Sequence, residues 1–355
     1  MDTVRVDRGT RTSYAFAVVA VIALAILVAM PWWAEAGQMR LVAEMAYYLA
    51  LAQLWNLLAG YAGLVSVGQQ AYVGLGGYAL FYLTGALNMN VYLALLIAGP
   101  FAGLMSIPVS IAVFRLRGAY FAIGTWVVAE VYRLVFAQFK ALGGGTGTSL
   151  SPSVTSGVPG IEWIKAMLDV RTPAARDIAS YWLALALMAA TTGLVYLILR
   201  SRRGLALGAI RDHEDAAAGL GVDIVGIKLA VYVAVAAMTG MIGALIYLQK
   251  ARISPDAAFS VLDWTAYVIF ITVIGGIGTM EGPAIGAIIF YLMQRYLADF
   301  GAWYLILLGT LGILVMLLAP KGLWGLVAEH YDLTLFPTRR RLVIEAEDSK
   351  RDVRS

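Results

Sequence analysis

Ten stretches of nearly unbroken apolar residues, separated mostly by short polar breaks, run along the chain at about 14–33, 41–59, 69–87, 92–114, 118–138, 178–200, 227–249, 262–279, 282–298 and 303–319. A hydrocarbon core about 30 Å thick takes about 20 apolar residues of helix to cross, so the pattern predicts an all-α integral membrane protein of about ten transmembrane helices. A closed β-barrel would instead need short segments of alternating polarity, which the chain lacks. The spans delimit a transmembrane domain at 14–325, a short N-terminal segment at 1–13 and a charged tail at 326–355. Two longer polar intervals interrupt the domain, at 139–177 and 201–226.

Composition agrees with lipid as the main solvent: 61% of residues are hydrophobic, 14% are charged, and the mean hydropathy is +0.79. With no cysteine, the chain has no disulfide framework, thiolate nucleophile or cysteine-ligated metal. A net charge of +4 would suit nucleic acid in a soluble protein. In a membrane protein it reflects positively charged inside loops, so no nucleic-acid partner is expected. The first apolar run follows Arg5, Arg8 and Arg11 like a signal peptide but ends in Pro31, Trp32 and Trp33 without a small-x-small site, and reads as an uncleaved span.

Basic residues orient the spans. With the N-terminus in the cytoplasm, the inside segments are 1–13, the turn at Arg115 and Arg117, 200–228 and the tail; they hold about two-thirds of all Lys and Arg. An even number of spans returns Arg339, Arg340 and Arg341 to the cytoplasm, where they can also meet anionic membrane lipid. The interval 139–177 then faces the periplasm and 201–226 the cytoplasm. Spans two to five and seven to ten run in opposite senses, which permits an inverted repeat.

Within this frame, Gly60, Gly63, Gly68, Gly74, Gly76 and Gly77 crowd a stretch that also carries Asn56, Tyr61, Ser66, Gln69 and Gln70. Irregular backbone at membrane depth persists where it is buried in protein or lines a wet cavity, so these polar residues are candidates for a translocation path. Close helix packing through glycine explains the same stretch equally well. A second cluster, Gly275 to Gly286 around Pro283, reads as packing. Glu130 and Arg133, three apart in span five, form a structural ion pair on one helix face, and Arg295 with Asp299 invites the same reading. The two histidines, His213 and His330, both fall in cytoplasmic segments, which argues against a proton-coupled carrier, a metal centre or an intramembrane enzyme.

The interval 201–226 is too long for a turn. Its core, 205–218, reads as one short helix with Leu205, Ile210 and Ala217 as apolar contacts, Arg211 and Asp215 paired at i,i+4, and Gly219 and Gly221 as stops. Such a helix is either a solvated interfacial element or a docking element for a cytoplasmic partner. No G-x-x-x-x-G-K-[ST] loop occurs, so the chain has no ATP site of that kind.

Several motifs in order carry a family resemblance: 54–78, which opens Leu-Trp-Asn-Leu-Leu-Ala-Gly-Tyr; 118–125 with Glu130 and Arg133; the glycine-rich 143–147; Ala-Ile-Arg-Asp-His-Glu-Asp from 209, leading to Gly221 and Lys228; 273–287; and 319–324. Together they resemble the LivM-type permeases of branched-chain amino acid ABC importers over roughly 40–325. The sequence departs from that pattern after Gly147, where Thr148 and Ser149 follow, and at Leu205, Gly208 and His213. The resemblance implies a subunit of the bacterial inner membrane that is not itself an enzyme and binds no cofactor, ATP being used by two cytoplasmic ATP-binding subunits. A second homologous permease and a periplasmic solute-binding protein complete the implied assembly. Interval 201–226 becomes the coupling segment, with Arg211, Glu214, Asp215, Ala217 and Gly221 as its contact residues. Uptake of urea or short-chain amides is the alternative within the family, and a self-contained carrier or channel the alternative outside it.

Overall fold

A computed structural model describes residues 3–7, 11–152, 154, 158–297, 300–331, 335–337 and 341–345. Arg8, Asp299, Arg339 and Arg340, singled out above, lie outside the described residues. In chain order the described α-helices are α1 (Arg11–Ala29), α2 (Ala36–Asn56), α3 (Gln69–Gly85), α4 (Val91–Val113), α5 (Ala119–Gln138), α6 (Ile161–Leu168), α7 (Thr172–Arg200), α8 (Arg202–Asp212) and α9 (Glu214–Gly219). They are followed by α10 (Ile224–Lys250), α11 (Pro255–Ala258), α12 (Tyr267–Gly275), α13 (Gly282–Leu297), α14 (Ala302–Leu318) and α15 (Gly322–Tyr331).

Each of the ten apolar stretches forms a helix. Among the described residues, eight helical segments are long and apolar enough to cross a membrane. The other two, α3 and α13, have 17 and 16 residues, and each begins next to a turn rich in glycine. Two π-turns interrupt the helical run, Leu57–Tyr61 at the end of α2 and Leu262–Ala266 before α12. Irregular backbone of this kind is tolerated at membrane depth only inside protein, and Leu57, Leu58, Ala59, Gly60, Trp264 and Thr265 are all buried.

Packing relates the two halves. In each, the second helix of the set packs on the third and fourth: α3 on α4 and α5, α12 on α13 and α14. The first helix crosses to the other half, so that α10 lies across α3 and α4 while α2 lies across α12 and α13. With α2 and α10 running in opposite senses, this is the arrangement of an inverted repeat. Small residues bring the backbones close. A Cβ on Gly76 would overlap the Gly240 carbonyl, and one on Gly243 would overlap Val73.

The first helix hangs on the outside, with only 6% of its apolar window buried. Pro31 lacks the N–H that would satisfy the Leu27 carbonyl, and the Tyr181 hydroxyl of α7 supplies the missing bond at 2.6 Å. Trp182 Nε1 donates to the next carbonyl, Val28, at 3.0 Å. Strands Thr3–Asp7 (β1) and Arg341–Glu345 (β4) pair antiparallel, joining the two ends of the chain on one face. On the opposite face Thr148–Ser149 (β2) pairs with Arg252–Ile253 (β3), and α6 packs on α7.

The expected Glu130–Arg133 pair forms, with Arg133 Nε 2.8 Å from Glu130 Oε1. Arg133 also reaches Asp256 of α11 at 2.6 Å, which ties α5 to the segment before α12. The single helix expected over 205–218 is divided instead. His213 is extended (φ −154, ψ 99), ending α8 and starting α9. Glu214 and Asp215 thereby occupy the first turn of a new helix, where its dipole favours acids. The i,i+4 pair of Arg211 with Asp215 is replaced by contacts of Arg211 with Asp212 (3.3 Å) and of Glu214 with Lys228 (2.9 Å). Leu205 stands 58% exposed, and Leu207 takes the buried place expected for it.

Candidate functional site

The glycine-rich end of α2, the α12–α13 turn and the α8–α9 segment meet at one place. Asn56, fully buried on α2, accepts from Gly278 N–H at 2.8 Å and donates to the Thr279 carbonyl at 2.6 Å. One turn earlier, Gln53 donates to the Met280 carbonyl at 2.7 Å. The α12–α13 turn is thus read along its backbone by the side chains of α2. Gly278 adopts φ +77, which favours glycine, and a Cβ on Gly60 would overlap both it and Asn56. From α8, Arg211 Nη1 donates to the Gly60 carbonyl at 3.1 Å. A carbonyl in a π-turn is weakly committed to its own helix, and a guanidinium is the natural donor to it.

Other polar residues of the stretch hold α3 in position. Gln69 Nε2 donates to the Leu51 carbonyl at 3.0 Å, Gln70 and Thr265 share a hydrogen bond between their side chains, and the Ser66 hydroxyl accepts from Gly68 N–H at 3.2 Å. All three are buried, and Tyr61 is half-buried. In the 201–226 segment Ala217 is buried, Glu214 and Asp215 are exposed, and Gly221 has φ +80 at the turn into α10. Leu205, Leu220 and Val225 of the same stretch are also exposed. Arg211, though partly exposed, is the one whose side chain reaches the π-turn at the end of α2.

A cavity of about 550 Å³ lies at the far ends of the helices, away from α8 and α9. It is walled by Arg40, Glu44, Tyr47 and Tyr48 of α2, Arg176 and Asp177 of α7, Gln249 and Lys250 of α10, Asp263, Trp264 and Tyr267 around the second π-turn, and Gln294 of α13. Sequence reasoning passed over these residues. Their one signal was the presence of charges just inside the ends of several spans, on the side with the fewer basic residues.

With this geometry in view, comparison with known proteins gives a consistent result. Residues 38–318 match the family described as the permease component of branched-chain amino acid transport systems. The chain belongs to that permease family. Its relatives include the high-affinity branched-chain amino acid transport system permease proteins LivM of Escherichia coli strain K12, 28% identical, and Salmonella typhimurium strain LT2, 27% identical. Each alignment covers 84% of this chain and 73% of the relative. A probable LivM of Methanocaldococcus jannaschii is 26% identical over 37% of this permease and 43% of the relative. No solved structure matches. The matched region holds α2 to α14, and so both the site around Gly60 and the cavity belong to the shared permease core. The chain is accordingly a multi-pass membrane permease.

Proposed function

We propose that this permease is one subunit of an ATP-driven importer that moves branched-chain amino acids across a bacterial inner membrane. Its family and its named relatives support the solute class. The observation that carries the mechanism is the bond from Arg211 to Gly60, which gives a surface helix a direct hold on the membrane-buried end of α2. In this reading α8 and α9 face the cytoplasm, as the basic residues at Arg200, Arg202 and Arg203 favour. Exposed Leu205 and Leu220, with Glu214 and Asp215 between them, dock on a cytoplasmic ATP-binding subunit. ATP belongs to two such partners, and the chain itself performs transport without catalysis.

When the ATP-binding subunits close, α8 moves with them. Arg211 carries that displacement to Gly60, and Asn56 and Gln53 carry it on to the α12–α13 turn. Two packings of this junction then correspond to the two access states, the cavity between this subunit and a second homologous permease opening alternately to each side. A periplasmic solute-binding protein delivers the solute on the opposite face.

The test is purification of the tagged permease from its native host in mild detergent, with copurifying proteins identified by mass spectrometry and leucine and urea uptake measured in proteoliposomes. Recovery of ATP-binding subunits and a second permease, with leucine uptake that requires ATP, is the expected result. Recovery of the chain alone, together with uptake that continues without ATP, overturns the reading in favour of a self-contained carrier; ATP-dependent uptake of urea but not leucine moves the solute class.

A further inference from the structure

The coupling junction leaves the charged cavity without a role. Three of the groups on its walls are cationic, Arg40, Arg176 and Lys250, and three are carboxylates, Glu44, Asp177 and Asp263. Arg40 and Asp177 satisfy each other, with Nη2 2.5 Å from Oδ2. The other four have no ion pair within 4 Å among the described residues, Glu44 lying beside Gln294 and within electrostatic reach of Lys250. Lys250 is instead held against Trp264, its Nζ 4.8 Å from the ring centroid, an arrangement that positions the ammonium and leaves its N–H groups free for a further acceptor. The cavity therefore offers two cations and two carboxylates in balance.

That balance selects among ligands. A simple anion or cation would satisfy one pair and leave the other facing a like charge, and a neutral amide would satisfy neither pair. A zwitterion satisfies both. Beside Glu44 and Tyr48 the wall turns apolar, where Leu41, Met45 and Phe290 pack around a crevice of about 10 Å³ between α2 and α13. The size is within the range of small-molecule sites, which run from about 300 to 1,000 Å³.

We propose that this cavity is a solute site that receives a free α-amino acid, with Lys250 and Arg176 facing its carboxylate, Glu44 and Asp263 facing its ammonium group, and its aliphatic side chain toward Tyr48. The proposal rests on the reading of the chain as an amino acid permease and places the solute on the face away from α8. The same helix joins the two sites. Glu44 lies at the cavity and Gly60 at the coupling junction, both on the continuous run of α2 and its π-turn, about 24 Å apart at 1.5 Å per residue.

The experiment is saturation-transfer NMR with L-leucine as the probe and the full-length permease in lipid nanodiscs. Two analogues accompany it, 4-methylpentanoate without the ammonium group and 3-methylbutylamine without the carboxylate. Leucine is expected to receive at least about fivefold more transfer than either analogue, a difference within the span of a single charge-assisted contact. Combining Lys250→Met with Asp263→Asn removes the leucine signal, while Lys250→Arg retains it in a protein of the same elution volume. Absence of a leucine signal on the unsubstituted permease, equal signals from the analogues, or a leucine signal that survives the double substitution would each overturn the site. ATP-driven leucine uptake by the assembled importer separates the two ideas. Uptake that proceeds normally in the double variant removes the cavity from the path and leaves the importer standing, whereas absence of uptake from the unsubstituted assembly removes the importer reading itself.

Discussion

Arg211, on the surface segment between α7 and α10, donates to the carbonyl of Gly60, 151 residues away in sequence and inside the helical bundle. Its guanidinium also touches Asp212 through Nε, so two of its nitrogens are engaged. Replacement by alanine removes the link without disturbing the exposed Leu205 or Glu214. The expected phenotype is uncoupling: ATP-binding partners remain attached and hydrolyse ATP, while solute moved per ATP falls about fivefold or more, the usual range of a coupling energy. Arg211→Lys keeps the charge but not the forked geometry, and recovers only part of the loss. Side-by-side ATPase and uptake measurements on the two variants decide the matter, and equal uptake by Arg211→Ala and the parent would show that the bond transmits nothing.

Close backbone contact at Gly76 yields a second prediction. Inside an exposed helix, Gly→Ala gains up to about 1 kcal/mol from backbone entropy. At Gly76 the new Cβ would overlap the Gly240 carbonyl and push α3 off α10, at a cost of about 1–3 kcal/mol. Gly85, at the end of the same helix, has nothing within 4 Å of an added Cβ. Thermal unfolding in detergent is expected to fall for Gly76→Ala and to hold or rise for Gly85→Ala. The reverse order would show that α3 and α10 are not in close register.

How much of this was readable beforehand depends on range. The spans follow from local apolar runs, and the Glu130–Arg133 pair follows from helix spacing, so both were legible. Asp256, which completes that pair, comes from a segment 123 residues away, and no pattern near Arg133 announces it. The break at His213 was hidden for a similar reason. Local propensity through Arg211, Asp212 and Glu214 continues a helix, whereas the tethers of Arg211 to Gly60 and Glu214 to Lys228 belong to two directions that one straight helix does not serve. The polar residues of the glycine-rich stretch were visible as a group, but only the tertiary structure shows Asn56 turned onto Gly278 and Gln70 onto Thr265. The cavity gathers side chains from α2, α7, α10, α13 and the second π-turn, and no single stretch of sequence contains it.

Tyr181 supplies a third test. Its hydroxyl replaces the helical bond that Pro31 denies to the Leu27 carbonyl, and it is fully buried. Tyr181→Phe leaves that carbonyl unpaired in apolar surroundings, a loss of about 1–3 kcal/mol. Since α1 is otherwise little buried, the effect concentrates there. Hydrogen exchange near residues 29–33 is expected to accelerate in the variant while exchange in α3 and α10 stays as it was. Uniform acceleration through the bundle would mean that Tyr181 supports the core and not the attachment of α1.

The ion pair between Arg40 and Asp177 makes a prediction about asymmetry. The Asp177 side chain is 8% exposed and that of Arg40 60%, so one partner has given up water and the other has kept much of it. Removing the aspartate charge lets Arg40 return to solvent at little cost, under about 1 kcal/mol once screening of an exposed group is counted. Removing the arginine strands a carboxylate that is itself largely withdrawn from water, at a cost of about 2 kcal/mol or more. Arg40→Ala is therefore expected to lower the unfolding temperature more than Asp177→Asn, and the double variant to lie closer to Asp177→Asn than to Arg40→Ala. A further consequence follows for the cavity. Freed of its partner, the Asp177 carboxylate would add negative charge to a wall that is otherwise balanced, and leucine transfer in Arg40→Ala should fall, while in the double variant it recovers. Equal unfolding temperatures for the two single variants would show that Asp177 is hydrated without Arg40, and the pair would then be a surface contact with no hold on α2 and α7.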